Sequence, residues 1–417
     1  MKRPRRSDGV AVILAGGQSS RLFPFNKVLS DLTGSGRTLL QQAYDRLKIF
    51  PKGRIYALTT PEMAAPVRRQ LKLSASHVWA DPARRGTWPA ILWAMAHLRR
   101  ENPDAVVSVL TGDHAIQNDK AFGHELRRSI DLARTRPAMV LMGIPPRNHP
   151  EEWRGFGCFR TDDGGRVIQF QEKPGAAEVR LMMEEGGWLW NSGMFFFRIS
   201  TAEAALRRLQ PEMHRVYEAL AKALALGKKA EAAFLYEDFH DKIPHPLDPA
   251  RYVDNSIDYA ILTPLVSRMG AGLEARAIRG VRFRWTDLGQ WDSLRMVLKS
   301  DDRGNIRVGK TVLKGNVRNS ILVAEAGYTI ELDGVQDLIA TCAGRTALVL
   351  SSASVSQVKE VAQEAFRHPD RVVMEHNITG CDIRASGGRI AAIGLSGLSV
   401  ELKGGRLVVS SKRCFIR

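Results

Sequence analysis

The sequence predicts an α/β fold in which a mostly parallel sheet flanked by helices is followed by a smaller β-rich domain. Two observations carry that expectation. Through the first three-quarters of the chain, short apolar strands alternate with helical patterns, an order that argues for parallel strands with helices on both faces. Near Asp301 the helices largely stop, and short strands separated by Gly, Asn and Asp take over.

The elements follow in order. Residues 10–15 read as a strand and 38–49 as a helix, with Leu39, Leu40, Ala43, Tyr44 and Leu47 on one face. Residues 54–59 form a strand, 61–71 a helix and 89–98 another helix. Residues 105–110 are a strand that ends in the polar turn Thr111-Gly112-Asp113-His114. A helix over 120–133 and a strand over 138–143 complete a Rossmann-like alternation. In such sheets the ligand lies at the carboxyl ends of the strands. Residues 155–160 and 166–172 read as paired strands around Asp163-Gly164-Gly165, a hairpin signal. A strand over 195–198 and helices over 201–209 and 213–226 follow. The predicted domains are 1–300 and 301–417, with one helix, 355–366, in the second. This tail holds a faint repeat. Residues 330–351 align with 390–411 at an offset of 60, matching Gly334 to Gly394, Leu338 to Leu398, Gly344 to Gly404 and Val349 to Val409. Stacked β-coils or a small β-barrel would give such a pattern, as would two unrelated hairpins with Gly turns. Apolar strands in this tail need covering, by the first domain or by another subunit, which leaves room for a homo-oligomer.

Composition narrows the class. A length of 417 residues fits two or three domains at roughly 150 residues each. With 44% hydrophobic and 25% charged residues, a disordered chain, a collagen-like fibre and a disulfide miniprotein are excluded. Lys and Arg number 61 against 44 Asp and Glu, a net charge of +17 that favours anionic partners. No RNP motif, zinc finger or aromatic-rich basic stretch accompanies that charge, so no nucleic acid is expected. Cys158, Cys342, Cys381 and Cys414 form no C-x-x-C pair, so neither a zinc ribbon nor a redox motif is expected. The basic start MKRPRRSDGV lacks the apolar run of a signal peptide, and no stretch approaches the roughly 20 apolar residues of a membrane span. No membrane association and a cytoplasmic location are the expectation.

The strongest local signal is the first strand and its loop, AVILAGGQSSRLFPFNK. Glycines let a backbone approach phosphates closely, exposed N–H groups bind anions, and Arg21 and Lys27 add charge to the same segment. The loop matches neither G-x-x-x-x-G-K-[ST] nor G-x-G-x-x-G. A Gly-rich βα turn with surface cations is the plain alternative. Asp113, at the end of an apolar strand, is either a Mg²⁺ ligand or the N-cap of the next helix. Asp287, in a turn between Trp285 and Trp291, is by its residue type alone a turn-former.

The loop resembles the L-A-G-G-x-G-T-R segment of the sugar-nucleotide pyrophosphorylases, a nucleotidyltransferase family. Further segments come in that family's order. Gly86-Thr87-Trp88-Pro89-Ala90-Ile91 resembles N-T-A-P-A-I of mannose-1-phosphate guanylyltransferases, and Thr111-Gly112-Asp113-His114 resembles their A-D-H segment. Phe170-Gln171-Glu172-Lys173-Pro174 resembles F-V-E-K-P, and Trp190-Asn191-Ser192-Gly193-Met194 matches W-N-S-G-M. Ser256-Ile257-Asp258-Tyr259-Ala260 resembles S-I-D-Y-A, and Trp285-Thr286-Asp287-Leu288-Gly289-Gln290-Trp291 resembles W-S-D-V-G-S-W.

The resemblance implies transfer of a nucleotidyl group from GTP to mannose 1-phosphate with Mg²⁺, giving GDP-mannose and pyrophosphate. It implies that Arg21, Lys27 and Lys173 are catalytic, and that Asp113 and Asp287 hold the metal. Nucleotide contacts fall on Ala15, Gly16, Gly17, Gln18, Ser19, Ser20, Gly86, Thr87, Pro89, Ala90 and Gly112. Sugar-phosphate contacts fall on Glu172, Lys173, Asn191 and Gly157. His114 reads as a structural neighbour, since attack by a phosphate oxygen has no proton to remove. The chain departs from the family at Ser19-Ser20, at Asn26 before the lysine, and in a short Arg21-to-Lys27 spacing that resembles molybdenum-cofactor guanylyltransferases. Another sugar 1-phosphate and nucleotide pair is the alternative within the family. A non-catalytic regulatory subunit that binds nucleotide-sugars is the alternative outside enzymes.

Overall fold

The computed structural model describes residues 9–17, 20–100, 102, 104–146, 155–267 and 272–411. They pack into two units. The first comprises residues up to Gly16, Ala43–Gly112 and Asn118–Phe283; the second comprises Gly17–Gln42, Asp113–Gln117 and Arg284–Arg417.

The first unit is built on a nine-stranded sheet. Its strands are β1 (Gly9–Leu14), β2 (Ile55–Thr59), β3 (Val78–Ala80), β4 (Val106–Thr111), β6 (Ala138–Ile144), β9 (Trp188–Arg198) and β12 (Glu274–Arg279), with β7 (Cys158–Thr161) and β8 (Val167–Gln171) as a side branch. The order is β12-β6-β9-β4-β1-β2-β3. β1, β4 and β6 are buried almost end to end, as central strands covered on both faces should be. Strand order reverses at β1, which pairs in parallel with β2 on one side and β4 on the other. Ligands lodge at the carboxyl ends of strands at such a switch. β9 runs antiparallel between β4 and β6, so the sheet is mixed. Running backwards, it brings Asn191 opposite Gly143, to the same edge as the carboxyl ends of its neighbours.

Several elements differ from expectation in extent. The expected strand 195–198 is the end of an eleven-residue strand, Trp188–Arg198. Asn191-Ser192-Gly193 interrupts its apolar run, and the ladder shifts register there, with Gly193 at φ +68°. Helix α1 is shorter than expected, Leu39–Asp45; α2 is Pro61–Leu71; α3 begins earlier, Thr87–Arg99; α4 is Asp119–Thr135. Helices at Ala176–Glu185 and Lys229–Tyr236, and the hairpin of β10 (Lys242–His245) with β11 (Asp248–Asp254), were not expected.

In the second unit, β5 (Ala115–Gln117) pairs antiparallel with β13 (Arg284–Thr286). Eleven strands follow, from Ile306–Val308 to Arg406–Ser411, in two sheets of six and five. The sixty-residue offset reappears strand for strand. β17 (Thr329–Asp333), β18 (Leu338–Ala343) and β19 (Thr346–Ser351) correspond to β22 (Arg389–Ile393), β23 (Leu398–Lys403) and β24 (Arg406–Ser411). β18–β19 and β23–β24 are both antiparallel hairpins. β17 pairs with β24 and β22 with β19 in the same register, Thr329 opposite Arg406 and Arg389 opposite Thr346. The turns share left-handed backbone at matching places: φ +63° and +62° at Gly334 and Gly394, +52° and +55° at Gly344 and Gly404. Two copies thus exchange strands to form two open sheets rather than a barrel.

The six-stranded sheet is apolar on both faces. Leu338, Ala340 and Cys342 of β18 enter the core it shares with the five-stranded sheet. Ile339 and Ala343 enter a second core with Leu22, Phe23, Phe25 and Leu32 from the N-terminal loop and Val358, Val361, Ala362 and Ala365 from the helix Val358–Arg367. The covering of these strands is therefore supplied within the unit.

Candidate functional site

Two groups of side chains, one in each unit, collect most of the residues singled out above.

The first group surrounds Glu172, at the end of β8. A Cβ on Gly157 would stand 2.3 Å from Glu172 Oε2, so any other residue there would push this carboxylate from its place. The Gly157 carbonyl accepts a 2.7 Å hydrogen bond from the Asn191 backbone N–H. Lys173 Nζ lies 3.4 Å from Glu172 Oε1 and is otherwise exposed. Its φ of +48° is a strained setting for a lysine, held immediately before Pro174. Asn191 Nδ2 donates a 2.7 Å hydrogen bond to Asp258 Oδ1, and Asn191 Oδ1 accepts from the Gly193 N–H at 3.2 Å. Burial, then the Glu172 charge, push Asp258 up to about 7. Burial likewise raises Glu172, against the pull of Lys173. The sequence motif containing Asp258 was noted, but its side chain was not singled out. The available signal was an acid inside the otherwise apolar Ile257–Leu262 run.

The segment of Gly86, Thr87, Pro89 and Ala90 opens α3. Gly86 has φ +105°, and a Cβ there would stand 2.2 Å from the Asn255 carbonyl oxygen. Trp88 N–H donates to that carbonyl at 3.2 Å, and Thr87 Oγ1 accepts from Ile257 N–H at 3.4 Å. This segment is therefore braced against the residues that lead into Asp258. Trp88 and Pro89 are buried, which leaves backbone and Thr87 facing outward. Upstream of α3, burial pushes Asp81 up to about 6, opposed by the Tyr236 hydroxyl and the Ala83 backbone N–H. Sequence reasoning missed Asp81.

The first loop leaves β1 through Ala15 and Gly16. Ala15 is fixed by its N–H to Leu58 O at 2.8 Å and its carbonyl by Thr59 Oγ1 at 2.8 Å. Gly112 leaves β4 with its N–H on Leu14 O at 2.8 Å. Among the described residues, nothing beyond its chain neighbours lies within 4 Å of a Cβ on Gly17. Gln18 and Ser19 lie outside the described residues. Ser20 and Arg21 form a short 3-10 turn, with Arg21 exposed.

The second group surrounds Asp113. Lys27 Nζ sits 2.6 Å from Asp113 Oδ2, with only 11% of the lysine side chain exposed. Phe25, two residues earlier, packs edge-on against Trp291 at 5.7 Å. Trp285 Nε1 donates to His114 Nδ1 at 3.1 Å, so the neutral imidazole carries its proton on Nε2, 3.8 Å from Asp113 Oδ1. Burial would raise Asp113, but the charge and hydrogen bond of Lys27, with the His114 ring nearby, outweigh it and hold the carboxyl below its usual range. The β5–β13 ladder sets Thr286 opposite Ala115, so Asp287 and Asp113 leave paired strands at the same end. Asp287 Oδ1 accepts from the Gly289 N–H at 3.0 Å, and Leu288 between them takes φ +45°. Among the described residues no cluster of three or more His, Cys, Asp or Glu side chains could hold a metal. A pair of carboxylates suits Mg²⁺, which binds through one or two carboxylates with phosphate oxygens and water completing its shell.

No helix among the described residues is long and apolar enough to cross a membrane. A nucleotidyl transferase family model matches residues 10–303. The alginate biosynthesis protein AlgA of Pseudomonas putida is 30% identical over 376 residues, covering 85% of this chain and 71% of AlgA. The mannose-1-phosphate guanylyltransferase ManC of Salmonella typhimurium is 28% identical over 372 residues, covering 85% of this chain and 72% of ManC. The crystal structure of a mannose-1-phosphate geranyltransferase from Thermus thermophilus superposes with a TM-score of 0.70 at 25% identity, covering 86% of this chain and 99% of that one. The match across most of the chain makes it a member of the nucleotidyl transferase family, and an enzyme of that family.

Proposed function

We propose that the protein transfers the guanylyl group of GTP to mannose 1-phosphate, releasing pyrophosphate and forming GDP-mannose. The observation that carries this reading is the similarity to ManC across 85% of the chain, alongside Lys27, Lys173, Asp113 and Asp287 in segments that resemble the family's motifs. A sugar-phosphate oxygen attacks the α-phosphorus; the new P–O bond forms as the bond to the β-phosphate oxygen breaks, and the electron pair leaves with pyrophosphate. No proton moves, so the demand on the protein is positioning and neutralisation of charge.

Lys173 receives the sugar phosphate, while Glu172 and Asn191 accept and donate hydrogen bonds to sugar hydroxyls. Arg21 and Lys27 balance the triphosphate, and the backbone from Ala15 to Ser20, with Gly86–Ala90 and Gly112, holds the nucleotide. Mg²⁺, held by Asp113 and Asp287, supplies charge neutralisation on the phosphates when bound. The base preference finds a chemical basis in Asp81: a carboxylate accepts from the adjacent N1–H and N2–H donors of guanine, a pair that adenine lacks.

The test is pyrophosphate release from a matrix of four nucleoside triphosphates and several sugar 1-phosphates. The reading expects GTP with mannose 1-phosphate to give the highest kcat/KM. Faster turnover of another pair would reassign the substrates, and silence across the matrix would favour a regulatory nucleotide-sugar binder.

A further inference from the structure

We propose that Asp258 is a positioning residue of the sugar-phosphate pocket, acting through the Asn191 amide; this rests on the sugar 1-phosphate transfer proposed above. An asparagine amide can present either its oxygen or its nitrogen to a substrate, and the two differ by a rotation. Here the choice is fixed from two sides. Asp258 Oδ1 accepts from Asn191 Nδ2 at 2.7 Å, and Asn191 Oδ1 accepts from the Gly193 N–H at 3.2 Å. One N–H and one lone pair of the amide remain for sugar hydroxyls. The backbone of Asn191 is fixed as well, by its N–H on Gly157 O at 2.7 Å, and Gly157 is the residue whose missing side chain admits Glu172. Asp258 thus holds one end of a chain, Asp258–Asn191–Gly157–Glu172, that ends on Lys173. Its own place is set from behind, since Gly86 and Thr87 brace residues 255–257.

The pocket also carries a charge signature. Glu172 and Lys173, which follow β8, face Asp258; Tyr259 and Cys158 face Glu172; and Arg251 and Asp254 of β11 face Tyr259. Asp258 titrates at about 7, raised by burial and then by Glu172. Loss of the Asp258 proton adds a carboxylate charge to the pocket, and that charge opposes a sugar-phosphate dianion.

The experiment measures KM for mannose 1-phosphate and kcat, with saturating GTP and Mg²⁺, for the full-length protein and the variants Asp258→Ala, Asn191→Ala, the double variant and Asp258→Asn. Asp258→Ala and Asn191→Ala should each raise KM by about tenfold and change kcat less, and the double variant should be no worse than Asn191→Ala, because both act through one amide. In the unmodified protein KM should climb between pH 6 and pH 8.5, about the Asp258 titration near 7. Asp258→Asn keeps the acceptor without the charge. It should match the unmodified KM at pH 6 within about threefold and lose the climb, which also serves if Asp258→Ala does not fold. Multiplying KM effects in the double variant, or an unchanged pH slope in Asp258→Asn, would overturn the proposal while transfer activity stands. Absence of transfer by the unmodified protein would overturn the underlying reaction and this role with it.

Discussion

Asp113→Asn should cost stability as well as activity, because the carboxylate it alters is the partner of Lys27. The two atoms are 2.6 Å apart, and the side chains are 11% and 28% exposed. Fully exposed pairs contribute about 0–1 kcal/mol, and breaking a buried one costs about 3–5 kcal/mol. This pair lies between those cases, so Asp113→Asn should lose about 2 kcal/mol, mostly from the charge removed opposite the Lys27 ammonium. Lys27→Met should lose less, about 1 kcal/mol, because Asp113 keeps some exposure to water and the His114 Nε2–H nearby. In the double variant both charges are gone, and the loss should fall short of the sum by about 1–2 kcal/mol. The assay is urea unfolding of all four proteins at pH 7 with chelator present. Since Asp113 is held below the ordinary carboxylate range, its contribution is complete above an unfolded value of 3.8 and is lost as pH falls through the folded value. Costs that add to within about 0.5 kcal/mol would refute the reasoning, for the two side chains would then act independently.

Asp287→Asn breaks no ion pair among the described residues and keeps an acceptor for Gly289, so pyrophosphate release should fall about a hundredfold or more with the unfolding midpoint unchanged. A large loss of stability would instead mark Asp287 as a turn-former. GTP with Mg²⁺ should give a larger thermal shift than ATP with Mg²⁺, and Asp81→Ala should erase the difference; equal shifts in the unmodified protein remove the case for guanine. Asp81 and Asp258, at about 6 and about 7 when folded against an ordinary 3.8, contribute stability that is complete below the unfolded value and lost as pH rises through the folded ones. Unfolding midpoints of Asp258→Asn should therefore fall less than those of the unmodified protein between pH 5 and about 8. Truncation after residue 300 should give insoluble protein, because Leu22, Phe23, Phe25 and Leu32 lose the core they share with the six-stranded sheet; a soluble, cooperatively melting fragment would contradict that.

What was legible in the sequence follows the physics of each segment. β1, β4 and β6 are buried on both faces, so their apolar runs announce strands with little ambiguity. β9 was legible only in its last four residues. A polar Asn191-Ser192-Gly193 inside an apolar run reads as a loop, and only the neighbouring strands turn it into a bulge at the sheet edge. The sixty-residue offset was visible through turn glycines, because left-handed backbone leaves a mark on residue choice; the exchange of strands between copies left none.

The candidate site shows the same division. Gly86 and Gly157 came from the family resemblance alone, and what each makes room for, the Asn255 carbonyl and the Glu172 carboxylate, belongs to distant parts of the chain. Lys27 and Asp113 were each named for phosphate and metal. Their ion pair was not foreseeable, since it spans 86 positions and rests on a loop with no periodicity. That pair changes how the metal assignment must be argued. The carboxylate proposed for Mg²⁺ already has a tethered cation, so a divalent ion competes with Lys27 for its charge, and a displaced ammonium is available to phosphate oxygens. Lys27→Met should accordingly bind Mn²⁺ more tightly than the unmodified protein when no nucleotide is present, yet turn over more slowly when it is. Weaker Mn²⁺ binding in that variant would mean that the lysine supports the metal site instead of competing for it.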